Sequence, residues 1–126
     1  MTTYAAPLRD SRAASALLWI CAGAAVLATV SAVPGALAAD PATRFVEIWR
    51  VVGFATFAGL FAVLAARTTQ TPSGVWLVII ANKLVLTIAG LSLAASTPGA
   101  AQAVGWDGAL TVLLLIAFLL TRGRRR

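Results

Sequence analysis

An all-α integral membrane fold, one domain of four transmembrane helices in an up-down bundle over residues 1–126, is what this sequence predicts. Hydrophobic residues fill 60% of its 126 positions and charged residues only 11%. The mean hydropathy is +0.92, far more apolar surface than one soluble core of this size would bury. The apolar residues also fall into four stretches, each near the ~20 residues that cross a ~30 Å hydrocarbon layer. Short, turn-rich links separate them, so that successive helices pack antiparallel.

The first span runs from about Ala13 to Val33, and Pro34 with Gly35 is expected to stop it. Residues 34 to 44 then form a link carrying Pro-Gly and Asp-Pro. The second span covers about Phe45 to Ala66, and Thr-Pro-Ser-Gly ends the following link at Gly74. The third covers about Val75 to Ala95, and Thr-Pro-Gly at 97–99 separates it from the fourth, about Ala100 to Thr121. Small residues four apart, Ala55 with Gly59 and Gly90 with Ala94, permit close helix approach. A rival reading of the N-terminus is a cleaved secretory signal over residues 1–38, since Ala36 and Ala38 stand in an A-x-A arrangement after a basic start. The first apolar run exceeds the ~7–15 residues of a signal core and is long enough to span, which favours four helices.

Arg9, Arg12, Arg67, Arg122, Arg124, Arg125 and Arg126 fall on one side of such a bundle and Arg44 on the other. By the positive-inside rule both termini are expected on the cytoplasmic side. The Ala- and Arg-rich composition fits a GC-rich genome. Trp76 is then expected at the inner boundary and Trp49 and Trp106 toward the outer one, with Trp19 deeper and packed within the bundle. The RGRRR tail is a stop-transfer anchor and a contact for anionic lipid.

Composition also excludes several functions. The net charge of +6 and pI of about 11.5 come from cations grouped at segment ends, which speaks for topology and against nucleic acid. With no His, one Cys and Met1 as the only Met, an intramolecular disulfide, a CxxC pair, a Cys/His zinc site and His-ligated haem are ruled out within one chain. There is no nucleophile–base pair, phosphate loop or metal constellation. The expectation is therefore no catalytic residue, no metal and no cofactor held by the chain alone. Cys21 reads as a small core residue, and Phe54, Phe57 and Phe61 as one core-facing side of the second helix.

The informative residues are the ionisable ones inside the spans: Glu47, Arg50, Lys83 and Asp107. A charge at the bilayer centre costs ~3 kcal/mol on insertion scales, so such residues turn inward and pair. At ~1.5 Å per residue, Glu47 lies ~3 Å below the outer boundary, Arg50 ~8 Å, Asp107 ~10 Å and Lys83 ~18 Å. Arg50 and Asp107 are nearly level, Lys83 can extend up to Asp107, and Glu47 and Arg50 are neighbours three apart on one helix. The expectation is one charge cluster, Glu47, Arg50, Asp107 and Lys83, with Asn82 or Thr87 as hydrogen-bonding neighbours, opening toward the outer face. Such a cluster could tie helices together, hold a ligand or head group, or pass ions. Below Lys83 the inner half offers no further acid, which favours a blind pocket.

RVVGFATFAGLFAVLAA, in which Arg50 and Gly53 open the second span, followed by a charged third helix with Lys83, resembles the DoxX-like group of small four-helix bacterial membrane proteins. The resemblance covers most of the chain. It implies a four-helix bundle with a polar interior and a lipid-like or quinone-like ligand, because some members are associated with quinone-linked sulfur oxidation or respiratory complexes. No catalytic residue transfers with it, and a redox role here would rest on a partner. The functional expectation is an accessory or small-ligand-binding membrane subunit. The alternatives are a small oligomeric transporter or channel, since four short helices enclose too little volume for alternating access in one chain, and a subunit of a quinone-linked oxidoreductase. Expected partners are membrane lipid and a larger membrane complex or homo-oligomer.

Overall fold

In a computed structural model of the chain, residues 8–122 are described. Arg124, Arg125 and Arg126 lie outside them, as do the side chains of Arg9 and Arg122. Four helices make up the fold: α1 (Leu8–Ala38), α2 (Pro41–Ala66), α3 (Ser73–Leu93) and α4 (Ala100–Arg122). Each contains a stretch long and apolar enough to cross a membrane. The protein is a multi-pass four-helix membrane bundle.

The first link is much shorter than Pro34 and Gly35 predict. Pro34 sits inside α1, which continues to Ala38, and the chain reverses over Ala39 and Asp40 alone. Proline removes one backbone donor and crowds the preceding turn. Ending the helix within an apolar segment would instead orphan several carbonyls at once, so a membrane helix carries the proline through. The turn chemistry acts one step later, at Asp-Pro. Pro41 takes the first helical position of α2, where its missing N–H is no loss. Arg44 reaches back and donates two hydrogen bonds, at 3.3 and 3.0 Å, to the carbonyl of Ala39 just beyond the end of α1. A cation there also suits the negative end of the helix dipole. The other two links follow the sequence: α3 starts directly after Pro72, and Gly99 adopts φ +83° before α4, a conformation glycine takes without strain.

Alternate helices run in opposite directions, so Ala14 of α1, Leu64 and Ala65 of α2, Trp76 of α3 and Ala117 of α4 share one end of the bundle, and all are buried. This core end also contains Leu18, Cys21, Phe61, Ile79 and Leu114. Ser15 ties α1 to α2 there by donating to the Ala65 carbonyl at 2.8 Å. Cys21 is a core residue as expected. Trp76, the fourth residue of α3, is fully buried, its ring centroid lies 5.9 Å from that of Phe118, and its indole N–H has no hydrogen-bond partner among the described residues. Trp19 is more than half exposed, on the surface that faces lipid in a spanning bundle.

The helices do not close a ring. α1 packs against α2 and α4, and α3 packs against α4, but no Cα of α2 comes within 8 Å of one in α3. The expectation that every sequential pair packs therefore fails at the second link. The Gly90 approach is real: an added Cβ would meet Val104 Cγ2 at 2.6 Å, so the absence of a side chain lets α3 and α4 close up. Around Gly59 there is open space, and its pairing with Ala55 serves no contact.

Candidate functional site: a charged cleft between splayed helices

Away from the core end the splay between α2 and α3 leaves a cavity of about 570 Å³, walled by all four helices. Its α1 wall is made mostly of small residues, among them Ala24, Ala28, Ala32 and Gly35, with Leu27 the one large side chain. Opposed to that wall in chemistry is α2, which presents Glu47, Arg50, Phe54, Phe57 and Phe61. These lie 3, 4, 3 and 4 residues apart, so one side of the helix carries a polar head and an aromatic body. The remaining walls are Lys83 and Leu86 of α3 and residues of α4 that include Gln102, Trp106 and Asp107.

Two ion pairs border this space. Lys83 donates from Nζ to Asp107 Oδ1 at 3.0 Å, linking α3 to α4. Their side chains are 4% and 15% exposed, so this pair is sheltered. Arg50 Nη1 lies 3.4 Å from Glu47 Oε2 within α2, and here the side chains are 54% and 31% exposed. The pairs Glu47–Arg50 and Lys83–Asp107 form as expected, but the single cluster of four does not: no hydrogen bond or ion pair joins the two pairs among the described residues. The reason is the splay, which keeps α2 apart from α3.

Lys83 crosses that gap by another route. Its Nζ lies 4.0 Å from the centroid of the Phe57 ring, within the range where a cation is held by the negative face of an aromatic ring. One ammonium thus engages α4 through a carboxylate and α2 through a ring. Arg50 covers Phe54 at 5.5 Å in the same manner, within its own helix. The lysine has three donors, of which one is committed to Asp107. Asp107, an ionisable group on the cavity wall, has one oxygen engaged by Lys83.

Asn82 is not part of this arrangement. It is exposed and lies outside the cavity lining, because consecutive residues of a helix point ~100° apart. Thr87 turns inward but bonds its own helix, donating to the Lys83 carbonyl at 2.8 Å. Of the three phenylalanines expected in the core, Phe61 is buried in it and Phe57 packs against it, and all three also line the cavity. Continuing the stripe of Glu47 and Arg50 down α2 to Phe54, Phe57 and Phe61 would have found them.

The cavity is closed toward the core end. Phe61 is shared between cavity lining and core, and Leu64, Trp76, Ile79 and Leu114 are buried beyond it. Among the described residues no group of His, Cys, Asp and Glu could hold a metal ion. Comparison with known proteins finds no matching family, no similar curated protein and no similar solved structure.

Proposed function

We propose that this protein is a small-ligand-binding subunit of a bacterial inner membrane, with both termini in the cytoplasm, and that its cleft takes an amphiphilic, membrane-soluble molecule. The observation that carries the reading is the cavity itself. Its volume of about 570 Å³ lies within the ~300–1,000 Å³ of small-molecule sites, and it combines an apolar and aromatic lining with a few convergent polar groups, as such sites do. The exposed Arg50–Glu47 pair meets a polar head, the aromatic stripe meets the body, and the Lys83–Asp107 pair forms the polar floor. Intramembrane ionisable residues commonly mark such sites.

The buried layer beyond Phe61 favours a blind pocket over an ion path. A lipid and an isoprenoid quinone share the required chemistry, and the sequence resemblance to DoxX-like proteins adds weight to the quinone. Native mass spectrometry of the protein released from a mild detergent separates the possibilities. The expected result is a one-to-one adduct with the mass of a membrane lipid or quinone, lost when Phe54 and Phe57 are replaced by Ala. Absence of any adduct, together with no binding of added menaquinone or phosphatidylglycerol, would overturn the reading. Ion flux through liposomes would support the channel alternative instead.

A further inference from the structure

We infer that the protein forms a parallel homodimer through the outer face of α3, with Asn82 of each copy hydrogen-bonded to its equivalent. This inference is independent of the ligand proposal, since it uses a different face of the bundle. Ser15, Thr29, Ser31, Thr56, Thr87, Ser92, Thr111 and Thr121 each donate to a backbone carbonyl. Lys83 is paired with Asp107, and Arg50 with Glu47. Two exposed amides of the spans, Gln102 near the start of α4 and Asn82 near the middle of α3, make no side-chain hydrogen bond among the described residues, and only Asn82 lies at mid-span. An amide has two donors and a carbonyl acceptor, and hydrocarbon offers it nothing.

The surroundings of Asn82 say what covers it. Val75, Val78, Asn82, Val85, Ala89 and Ser92 are spaced 3, 4, 3, 4 and 3 apart and all are exposed. That spacing is the a/d seam of a left-handed coiled coil, with Val75, Asn82 and Ala89 at one set of positions and Val78, Val85 and Ser92 at the other. The large apolar residues Leu84 and Leu91 lie outside the seam on α3. Small and β-branched residues let membrane helices approach closely, and a single polar residue among them sets register and partner number.

A second copy is the occupant because membrane insertion gives every copy the same orientation. Two copies related by a twofold axis along the membrane normal bring α3 against α3 in parallel, with each residue level with its own equivalent. Asn82 then meets Asn82, and an amide is complementary to itself, the donor of one facing the acceptor of the other. Any other partner would need a matching polar group at the same depth, which symmetry supplies here without further requirement.

Disulfide trapping in native membranes tests this, using single cysteines in a Cys21→Ala background. Val78→Cys and Val85→Cys are expected to give cross-linked dimer on mild oxidation, while Leu84→Cys and Leu91→Cys give at least fivefold less. Adding Asn82→Leu should lower the Val85→Cys yield three- to tenfold, the range a membrane hydrogen bond of ~0.6–1.4 kcal/mol provides. Asn82 makes no hydrogen bond inside the protomer among the described residues, so the melting temperature of monomer in detergent should remain unchanged. Equal trapping around the whole of α3, no trapping at any position, or an Asn82→Leu yield equal to that of the parent would each overturn the dimer.

Discussion

Lys83 is held by two partners of different chemistry, a carboxylate 3.0 Å away on α4 and an aromatic ring at 4.0 Å on α2. Removing one member of a sheltered ion pair strands the other in low dielectric, whereas removing both leaves an apolar contact. Asp107→Ala is therefore expected to cost about 3 kcal/mol, and Asp107→Leu combined with Lys83→Met less than half of that. Thermal melts in detergent measure both, and equal losses would refute the pairing. The pair was legible in the sequence because depth along a helix follows from counting residues, and Lys83 lies within reach of the level of Asp107. Asn82 was misplaced because sequence neighbours share a depth but not a direction. Phe57 was assigned to packing alone, since nothing local says which ring an ammonium will meet across a gap.

At the scale of helices, the links obey hydrogen-bond accounting before turn propensity. Pro34 is accommodated within α1, while Asp40 and Pro41 form the turn with Arg44 bonded to the carbonyl of Ala39. Close approach is similarly selective: of the two small-residue pairs, only Gly90 faces another helix. A methyl at Gly90 would meet Val104 Cγ2 at 2.6 Å, and a valine in a helix has little rotamer freedom with which to retreat. Gly90→Ala should cost about 1–3 kcal/mol by overpacking, more than the ~1 kcal/mol that alanine gains in helix propensity. Adding Val104→Ala should restore most of the loss. A Gly90→Ala protein that melts at or above the parent temperature would show that α3 and α4 are not in contact there. Gly59→Ala, with open space around it, is expected to be neutral or stabilising and serves as the control.

For the whole molecule the decisive feature is the contrast between a packed end and an open one. Cys21 lies within the packed end and is fully buried, so maleimide labelling of the native protein in detergent should be slow and should become rapid only on unfolding. With Cys21 replaced by Ala, single cysteines report orientation. Gln102→Cys, exposed at the cavity, should react with a membrane-impermeant thiol reagent on intact cells. Gln70→Cys, exposed in the link at the packed end, should react only after permeabilisation. The reverse pattern would invert the proposed topology and turn the cleft toward the cytoplasm.

Legible from the sequence were the four helices, their alternating direction and the reach of Lys83 to Asp107 and of Arg50 to Glu47. Those properties follow from apolar length, turn chemistry and the fixed rise of a helix, all of which are local. Tertiary structure alone decided that α2 and α3 stand apart, that Trp76 is core while Trp19 is exposed, that the charges form two pairs, and that Asn82 faces outward. These depend on how each helix is rotated about its axis and on which neighbours it packs against. Apolar residues cover nearly every side of these helices, so the hydrophobic pattern gives no preferred inward face, and only the packing of the four helices together selects one.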